Sequence, residues 1–260
     1  MDWSKTKSIF IVTFFMLNIF LGYQLYEKQA QRQISDLPSW ELESQIAEQN
    51  IDIQIEDPEE TLYGAPITAQ IRTFQEPFLN QELEDQTITL LNDSIITSEL
   101  DTPVRLVSSN LRASVEAFLS QNYVLNGDRY EFAAHDEDEG VIGLYQTYDG
   151  IKIDQYDREN FHLLLFLNEE GNIDSYQQTY LAITEQGAEQ ELLSPVKVIE
   201  VLMRESQLPP NSVVDGAELG YYNRVEIDAD FQVYAPVWRI QANDEYYFVD
   251  AIRGELQSSN

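Results

Sequence analysis

The chain has 260 residues and no cysteine, and 46 acidic against 15 basic side chains give it a formal net charge of −31 at pH 7. This charge makes DNA and RNA poor partners, since both are polyanions, and the missing thiols exclude disulfides and thiolate zinc sites. We interpret the acidity as a solubility feature. A cationic partner or a bound cation is the alternative, and the sequence does not localise it.

The first predicted element is an uncharged run over residues 9–25, IFIVTFFMLNIFLGYQL. As a helix its 17 residues would span roughly 25 Å, slightly less than a bilayer core of about 30 Å. Trp3 before the run and Tyr23 near its end carry amphipathic rings that favour the headgroup level and extend the span. Because Lys5 and Lys7 precede the run, we expect a cytoplasmic N-terminus and a single crossing of the cell membrane.

A cleaved signal peptide and a buried core helix are the alternatives for this run. The bulky segment LGYQLYEKQ lacks the small residues of a signal-peptidase site, and the basic lead and aromatic edges favour a membrane anchor over a core helix. We therefore expect an extracytoplasmic C-terminal domain. The predicted boundaries are a cytoplasmic tail over residues 1–8, a transmembrane helix over 9–26, a stalk over 27–36, an α+β module over 37–106, and two repeats over 107–190 and 191–260.

Asn18 is the strongly polar side chain in the middle of the run, and an unsatisfied amide in lipid is costly. One hypothesis is a helix–helix docking face centred on Asn18. The alternative is that the amide bonds locally to the helix backbone. The residues that share this face at helical spacing are Phe10, Phe14, Leu17, Asn18, Leu21 and Leu25.

The N-terminal segment DWSKTKSIFIVTFFMLNIFLGYQLYEK resembles the start of the YycI (WalI) family, and a looser resemblance continues through SWELESQIAEQNIDI to the C-terminal strands. These are regulatory proteins of the essential YycFG (WalKR) two-component system of Gram-positive bacteria. The resemblance implies a membrane helix and an extracytoplasmic α+β domain. It also implies control of a YycG/WalK-like sensor histidine kinase, through contacts with the kinase and with a YycH-like companion, and it offers no catalytic motif.

After the stalk, Ser39 is placed to cap a helix that ends near Asn50, a residue that tolerates the left-handed conformation. Alternating apolar residues then predict strands over residues 51–55 and 67–73. Asn92-Asp93 predicts a hairpin turn between two further strands. Beyond it, Leu111, Val115 and Leu119 form the apolar stripe of a second helix.

The middle of the chain reads as antiparallel strands. Asp149-Gly150 is a strong signal for a two-residue hairpin, because glycine accepts a positive φ. Asn168-Glu169-Glu170-Gly171 marks another turn, after an apolar strand, and a single returning strand is predicted over residues 173–183. Ser194 and Pro195 then predict the start of a third helix, followed by strands to the end of the chain.

A helix followed by a hairpin and a strand–turn–Gly–strand unit occurs at residues 110–183 and again at 194–257. QTYDGIKI and LFLNEEGNI resemble the propeptide modules that precede thermolysin-like proteases, and APVWRI and YYFVDAIRGEL resemble the PepSY module. We therefore predict an α+β fold of antiparallel sheets with packed helices and two PepSY-like repeats. Shared turn chemistry is the alternative explanation of the similarity.

No catalytic constellation is recognisable, and we expect neither an enzyme nor a cofactor. The chain lacks H-E-x-x-H, G-x-S-x-G, P-loop and G-x-G-x-x-G patterns. His162 lies in an apolar strand and is interpreted as a packed or edge imidazole. His135 precedes four acids, which we interpret as an exposed turn rather than a metal site, because the spacing is not that of a calcium loop.

The sequence therefore predicts a non-enzymatic, membrane-anchored regulator whose helix contacts a sensor kinase and a companion protein. The alternative is an extracytoplasmic binding module for a cell-wall or small-molecule ligand. In that case exposed tyrosines would stack on sugars, and the alternative is that they pack the sheet. A deep aromatic-lined pocket would favour the binding module, and flat sheet faces would favour the regulator. The tyrosines concerned are Tyr221, Tyr222, Tyr246 and Tyr247.

Overall fold

A computed structural model describes residues 3–32, 39–154, 161–228 and 231–257 of the chain. The chain divides into two units, one made of residues 1–52 with 209–212, and the other of residues 53–208 with 213–260. Residues 33–36 of the predicted stalk and the first two residues of the predicted tail lie outside the described residues.

The first unit contains helices α1 (Trp3–Arg32) and α2 (Ser39–Gln49). The uncharged run lies within α1, which continues into the predicted stalk. Among the residues that the structure describes, no helix is both long enough and apolar enough to cross a membrane. The transmembrane helix over residues 9–26 stays a prediction.

Helix α2 ends where the sequence predicts, and a distant segment completes its end. Asn50 has a positive φ of 52°, and the Ile51 N–H bonds the Ile46 carbonyl at 3.0 Å. The Asn211 N–H donates to the Gln49 carbonyl at 2.8 Å, while the Asn50 side-chain amide donates to the Asn211 side chain at 3.0 Å. Residues 209–212 therefore satisfy a helix-end carbonyl that would otherwise lack a partner.

The second unit is dominated by strands. Its helices are α3 (Glu76–Glu82), α4 (Leu111–Leu119) and α5 (Pro195–Arg204), with short 3₁₀ turns at Ser108–Asn110 and Gly127–Arg129. The described strands, beginning at the boundary of the two units, are β1 (Asp52–Ile53), β2 (Tyr63–Gly64), β3 (Ile67–Ile71), β4 (Gln86–Leu91), β5 (Ile95–Arg105), β6 (Tyr130–Asp136), β7 (Val141–Tyr148), β8 (Ile151–Ile153), β9 (Leu163–Leu167), β10 (Asn172–Thr179), β11 (Leu181–Glu185), β12 (Gln190–Glu191), β13 (Val213–Asp228), β14 (Phe231–Ala242), β15 (Glu245–Asp250) and β16 (Leu256–Gln257).

The first half-sheet has the antiparallel order β6-β7-β9-β10-β5-β4. Alternate residues of β7 and β9 point to one buried face, where Ile142, Leu144, Leu163 and Leu165 are fully buried. Residues of α3 and α4 join the same core, including Phe118, which is 1% exposed. The predicted stripe of α4 thus covers a sheet whose strand period places its apolar residues on that face.

The second half-sheet is built around β14. β13 pairs along one edge of β14, while β3 and β15 pair with different parts of its other edge. β11 then pairs with β3, and β16 pairs with β15. β8 pairs with β13 in parallel. Helix α5 begins as predicted, with the Ser194 side chain accepting from the Lys197 N–H at 3.4 Å and Pro195 in its first turn. Its inward residues Val198 and Ile199 are fully buried.

The β7–β8 hairpin joins the two half-sheets. Its turn is the predicted one, because Asp149 and Gly150 have φ values of 48° and 76°. A buried side chain makes a second link. The Gln146 amide in β7 donates to the Leu181 carbonyl in β11 at 2.9 Å, and its oxygen accepts from the Leu181 N–H at 2.8 Å.

A helix followed by a four-stranded meander occurs twice, as α4 with β6-β7-β9-β10 and as α5 with β13-β14-β15-β16. The last turn of each meander is built alike. The Asn168 side-chain oxygen accepts from the Glu170 and Asn172 N–H groups, and the Asp250 oxygen accepts from those of Ile252 and Arg253. The likeness to PepSY modules, and the module boundaries at 37–106, 107–190 and 191–260, stay predictions.

One local prediction is wrong, and one helix was not predicted. The single strand predicted over residues 173–183 is two strands, since β10 pairs with β5 and β9 whereas β11 pairs with β3 in the other half-sheet. The sequence analysis also missed helix α3, whose short segment has no side-chain hydrogen bond at its N-cap residue Gln75.

Candidate functional site

The predicted docking face on α1 consists of apolar side chains that are largely exposed. Phe10 is 72% exposed, Phe14 is 64% exposed, and Leu17 and Leu21 are each 50% exposed. These residues share one face because they recur at helical spacing within one continuous helix. Leu25 belongs to the same helix, but its side chain lies outside the described residues.

Asn18 bonds within its own helix. Its side-chain Nδ2 donates to the Phe14 carbonyl at 3.0 Å. This is the local arrangement that the sequence left open as the alternative, and it satisfies an amide donor without a second helix. The docking face, if it binds a partner, therefore does so through its apolar side chains rather than because of an unsatisfied amide at Asn18.

A second candidate site lies in the second unit, where three carboxylates from distant parts of the sequence converge. Asp149 is in the β7–β8 turn, Glu185 ends β11, and Glu189 precedes β12. One oxygen from each lies within 4.8 Å of the others. They line a pocket of about 190 Å³ together with Leu62, Tyr63, Gly64, Ala65, Ile151, Leu219 and Tyr221, and we call it the acidic pocket.

Two tyrosines respond to the negative charge of the acidic pocket. The Tyr148 hydroxyl donates to Glu185 Oε1 at 2.9 Å, and desolvation together with this carboxylate raises the pKa of Tyr148 to about 12. Tyr221 is 2% exposed, and burial and the carboxylates of Asp149, Glu185 and Glu189 raise its pKa well above the usual value. Burial contributes most to both shifts, and the carboxylates add to it in the same direction.

The sequence analysis did not bring the three carboxylates together. Asp149 was identified as a turn residue, and the other two stand in an ordinary acidic stretch. They meet because β11 pairs with β3 and not with the strands of the first half-sheet. The pairing partner of β11 is a non-local property, so spacing along the chain carried no signal for this pocket.

The acidic turn beside His135 has a structural explanation. Asp136 Oδ1 accepts from the N–H groups of Asp138 and Glu139, both at 3.0 Å, and Gly140 has a positive φ of 65°. His162 is packed as predicted. Its Nδ1 accepts from the Gln146 N–H at 3.1 Å, and burial lowers its pKa to about 4.

A partly buried charge cluster lies where β8 meets β13. Lys152 Nζ is 2.5 Å from Glu218 Oε1 and 3.7 Å from Glu131 Oε1, and Arg239 pairs with the other oxygen of Glu218. Burial alone would raise the pKa of Glu218, but Lys152 and Arg239 outweigh it and hold the pKa below its usual value. Burial raises the pKa of the neighbouring Asp154 to about 6, against the opposing charge of Arg239.

The four tyrosines proposed to stack on sugars do not form a row. Tyr221 is buried, and Tyr222 stacks on Phe248 with ring centroids 5.6 Å apart. Tyr246 is 53% exposed beneath the Arg239 guanidinium, and the Tyr247 hydroxyl donates to Glu245 at 2.9 Å. Of the four, Tyr221 alone lines the acidic pocket as described. This arrangement favours tyrosines that pack the sheet.

Comparison with known proteins gives one family and several distant structures. The family model described as YycI protein matches residues 29–252. A crystal structure of an uncharacterized protein from Eubacterium rectale has 14% identity and a TM-score of 0.47, covering 81% of this chain and 90% of that chain. The crystal structure of YycH from Bacillus subtilis has 14% identity and a TM-score of 0.34, covering 70% of this chain and 52% of that chain. No curated protein matches the chain.

Proposed function

This chain belongs to the YycI family, and from that premise we propose that it is a membrane-anchored modulator of a YycG/WalK-like sensor histidine kinase. It acts together with a YycH-like companion and catalyses no reaction itself. The YycI family is a regulatory, non-catalytic family associated with the YycFG two-component system. The match begins at residue 29, after the uncharged run, so the membrane anchor and the transmembrane contacts are our extension of it.

The exposed apolar surface of α1 is the observation that supports the proposed membrane anchor. Large apolar side chains surround this helix on every side, including Phe10, Phe15, Met16 and Ile19, each more than half exposed. A helix that is apolar all round is stable only when it is surrounded by protein or lipid. Together with the basic residues before the run, this favours one membrane crossing with the C-terminal domain outside the cell.

The regulator can change kinase output only if it contacts the signalling states of the kinase unequally. A difference of about 1.4 kcal/mol between two states changes their ratio tenfold. Apolar packing between membrane helices is sensitive enough for this, since such helices associate by close van der Waals contact and interhelical hydrogen bonds. In this proposal α1 supplies the contact, and the extracytoplasmic sheet positions the companion protein.

Site-specific photocrosslinking in cells tests the proposal. A photoreactive residue is placed at Phe14 or Leu21 on the docking face, and in matched controls at Met16 or Ile19 on the opposite face. Met16 and Ile19 are similarly exposed, at 66% and 57%. We expect capture of a histidine kinase or its companion from the docking face and at least severalfold less from the control face.

Equal capture from both faces would show contact without a defined docking surface. A helix exchange tests whether α1 is needed for the regulatory contact. If residues 9–26 are replaced by an unrelated membrane helix and kinase output stays normal, the proposal that α1 carries the regulatory contact is wrong. Release of the protein from washed membranes would refute the anchor itself.

A further inference from the structure

We propose that the outer edge of β4 is a docking site for an extended segment of another protein, one that carries basic residues at both of its ends. The segment adds to the first half-sheet as a further strand beside β4. The proposal concerns the second unit alone and goes beyond the regulatory function proposed above. It depends neither on the membrane anchor nor on the docking face of α1.

The first argument is that β4 has an open edge. Among the described strands, β4 pairs with β5 alone. No turn, loop or side chain of the described residues forms a hydrogen bond with the backbone of residues 86–90. The backbone N–H and C=O groups of such an edge are a template for pairing with another strand.

The second argument is that β4 lacks the features by which proteins usually protect a sheet edge. Its sequence QTITLL has no charge and no proline, and its register with β5 is regular from Gln86 to Leu91. The outer strand β6 has a bulge between Phe132 and Ala134, Gln146 occupies the edge of β11, and β16 has only two residues. Because these other outer strands are protected or short, the open edge of β4 favours a pairing partner.

The charge around β4 favours a basic partner. Residues 73–104, which include α3, β4 and β5, contain seven acidic residues and no basic one. None of the seven carboxylates forms an ion pair with a residue that the structure describes. Glu84 and Asp85 precede the uncharged strand, and Asp93 follows it in the turn. A segment with lysine or arginine at each end would therefore place its cations beside unpaired carboxylates.

The same charge argues against a second copy of this chain as the partner. Each copy has a formal net charge of −31. Pairing two β4 strands edge to edge would bring the acidic residues at the ends of one strand close to those of the other. Repulsion between like charges disfavours that arrangement.

A pocket at one end of β4 would give the docked segment specificity. It has a volume of about 860 Å³ and lies between β4 and the start of α3, with Leu90 and Phe78 in its lining. Phe78 is 40% exposed. The residue opposite Leu90 on an added strand would have its Cβ about 5 Å away on the same face of the sheet. Its side chain would therefore lie at this pocket.

The other lining residues indicate which side chain the pocket would accept. The Arg72 guanidinium lies over the rings of Phe74 and Tyr180, 5.3 and 5.9 Å from their centroids. The carboxylates of Glu76 and Asp93 line the same pocket. An aromatic side chain next to a basic end suits this lining, because its ring can pack on Phe78 while the neighbouring cation meets a carboxylate.

Fluorescence anisotropy with a synthetic peptide tests the edge. The peptide has six alternating valine and threonine residues between Lys-Arg pairs at both ends, carries an uncharged dye, and is titrated with the full-length chain in an uncharged detergent. We expect saturable binding. A peptide with Glu-Asp pairs at its ends should bind at least about tenfold more weakly. So should a basic peptide with every second backbone amide methylated, because it cannot complete the strand pairing.

The variant T87K/T89K adds lysines, a natural form of edge protection, at exposed positions of β4. It should bind the basic peptide at least about fivefold more weakly. The matched control A182K/T184K adds two lysines at the same spacing on exposed positions of β11, and it should bind as the parent does. If T87K/T89K does not fold, the single variant Thr89→Lys is used, and a severalfold weaker binding is expected.

A peptide series tests the pocket. Each valine of the basic peptide is replaced in turn by phenylalanine, and one member should bind severalfold more tightly than the others. Phe78→Ala should remove that gain and leave the binding of the valine peptide unchanged. Uniform affinity across the series would overturn the role of the pocket.

Equal weakening in the two lysine variants would mean that the peptide binds the acidic surface without a defined site, and would overturn the proposal. So would full binding of the methylated peptide, or no binding of the basic peptide at millimolar concentration. If sedimentation shows a dimer of the full chain that the peptide dissociates, a second copy occupies the edge and the choice of partner is wrong.

Discussion

The Gln146 side chain should contribute several kcal/mol to the free energy of unfolding of the second unit, because it occupies the open edge of β11. Among the described strands, β11 pairs with β3 alone, and on its other side the Leu181 N–H and carbonyl bond to the Gln146 amide, at 2.8 and 2.9 Å. Gln146 is 1% exposed and Leu181 is 6% exposed. Water therefore has little access to replace the amide if it is removed.

The substitution Gln146→Met keeps the length of the side chain and removes both hydrogen bonds. The net loss of two bonds is about 1–3 kcal/mol, and leaving two buried backbone groups unsatisfied raises the total to about 2–5 kcal/mol. Urea unfolding of the full chain, followed through tryptophan fluorescence to which the buried Trp238 contributes, measures this loss. With a slope of about 2–3 kcal/mol/M, the midpoint should fall by roughly 1–2 M.

Gln121→Met is the matched control. Gln121 is exposed, and its amide donates to the Ala117 carbonyl of the preceding helix α4 at 3.1 Å, so its loss should change stability by less than about 0.5 kcal/mol. Hydrogen exchange adds a local readout, since the Leu181 amide should lose protection in Gln146→Met. Equal midpoints for the two variants, or an unchanged Leu181 amide, would refute the reasoning.

Two further predictions concern stability. The pKa of Asp154 is raised from 3.8 to about 6 on folding, so the native state holds this proton more tightly and loses stability as pH rises through that window. Asp154→Asn should therefore gain about 1–3 kcal/mol on the parent between pH 4 and pH 7 in paired urea titrations. The prediction concerns the difference in unfolding free energy between the variant and the parent, because His162, with its pKa lowered to about 4, titrates over the same range with the opposite sign. A difference that does not change with pH would contradict the prediction. Gly143→Ala should lower the free energy of unfolding by about 1–3 kcal/mol, since its Cβ would lie 2.4 Å from the Phe161 ring. Gly64→Ala, whose Cβ would meet Leu192 at 3.4 Å, is the control and should lie within about 0.5 kcal/mol of the parent in the same urea assay.

Local chemistry predicted the turns and helix starts well. The Asn92-Asp93 turn has φ values of 51° and 57°, and Asp149-Gly150 is also left-handed, because these residue types tolerate that conformation. Ser194 and Pro195 begin α5 for reasons contained in one helical turn. Such features depend on neighbours in sequence, so the sequence is sufficient to locate them.

Choice of strand partner was not predictable in the same way. No turn residue separates the strands before and after Tyr180, yet these strands join different half-sheets. Residues 173–183 do not themselves indicate that β10 and β11 pair with different strands, since the position of β11 depends on β3 and β14 elsewhere in the chain. The acidic pocket was missed for the same reason, whereas the face of α1 was predicted because helical spacing alone defines it.

The position of β3 has a consequence for the order of folding during synthesis. Ile67 pairs with Tyr234 on one side and with Glu185 on the other, so both partners are made long after β3 itself. At a synthesis rate of about 5–20 residues per second, β3 is without a pairing strand for on the order of ten seconds. During that time it is an unpaired apolar edge, and such edges bind other extended chains. We therefore expect nascent chains that stop short of β11 to need a chaperone to stay soluble.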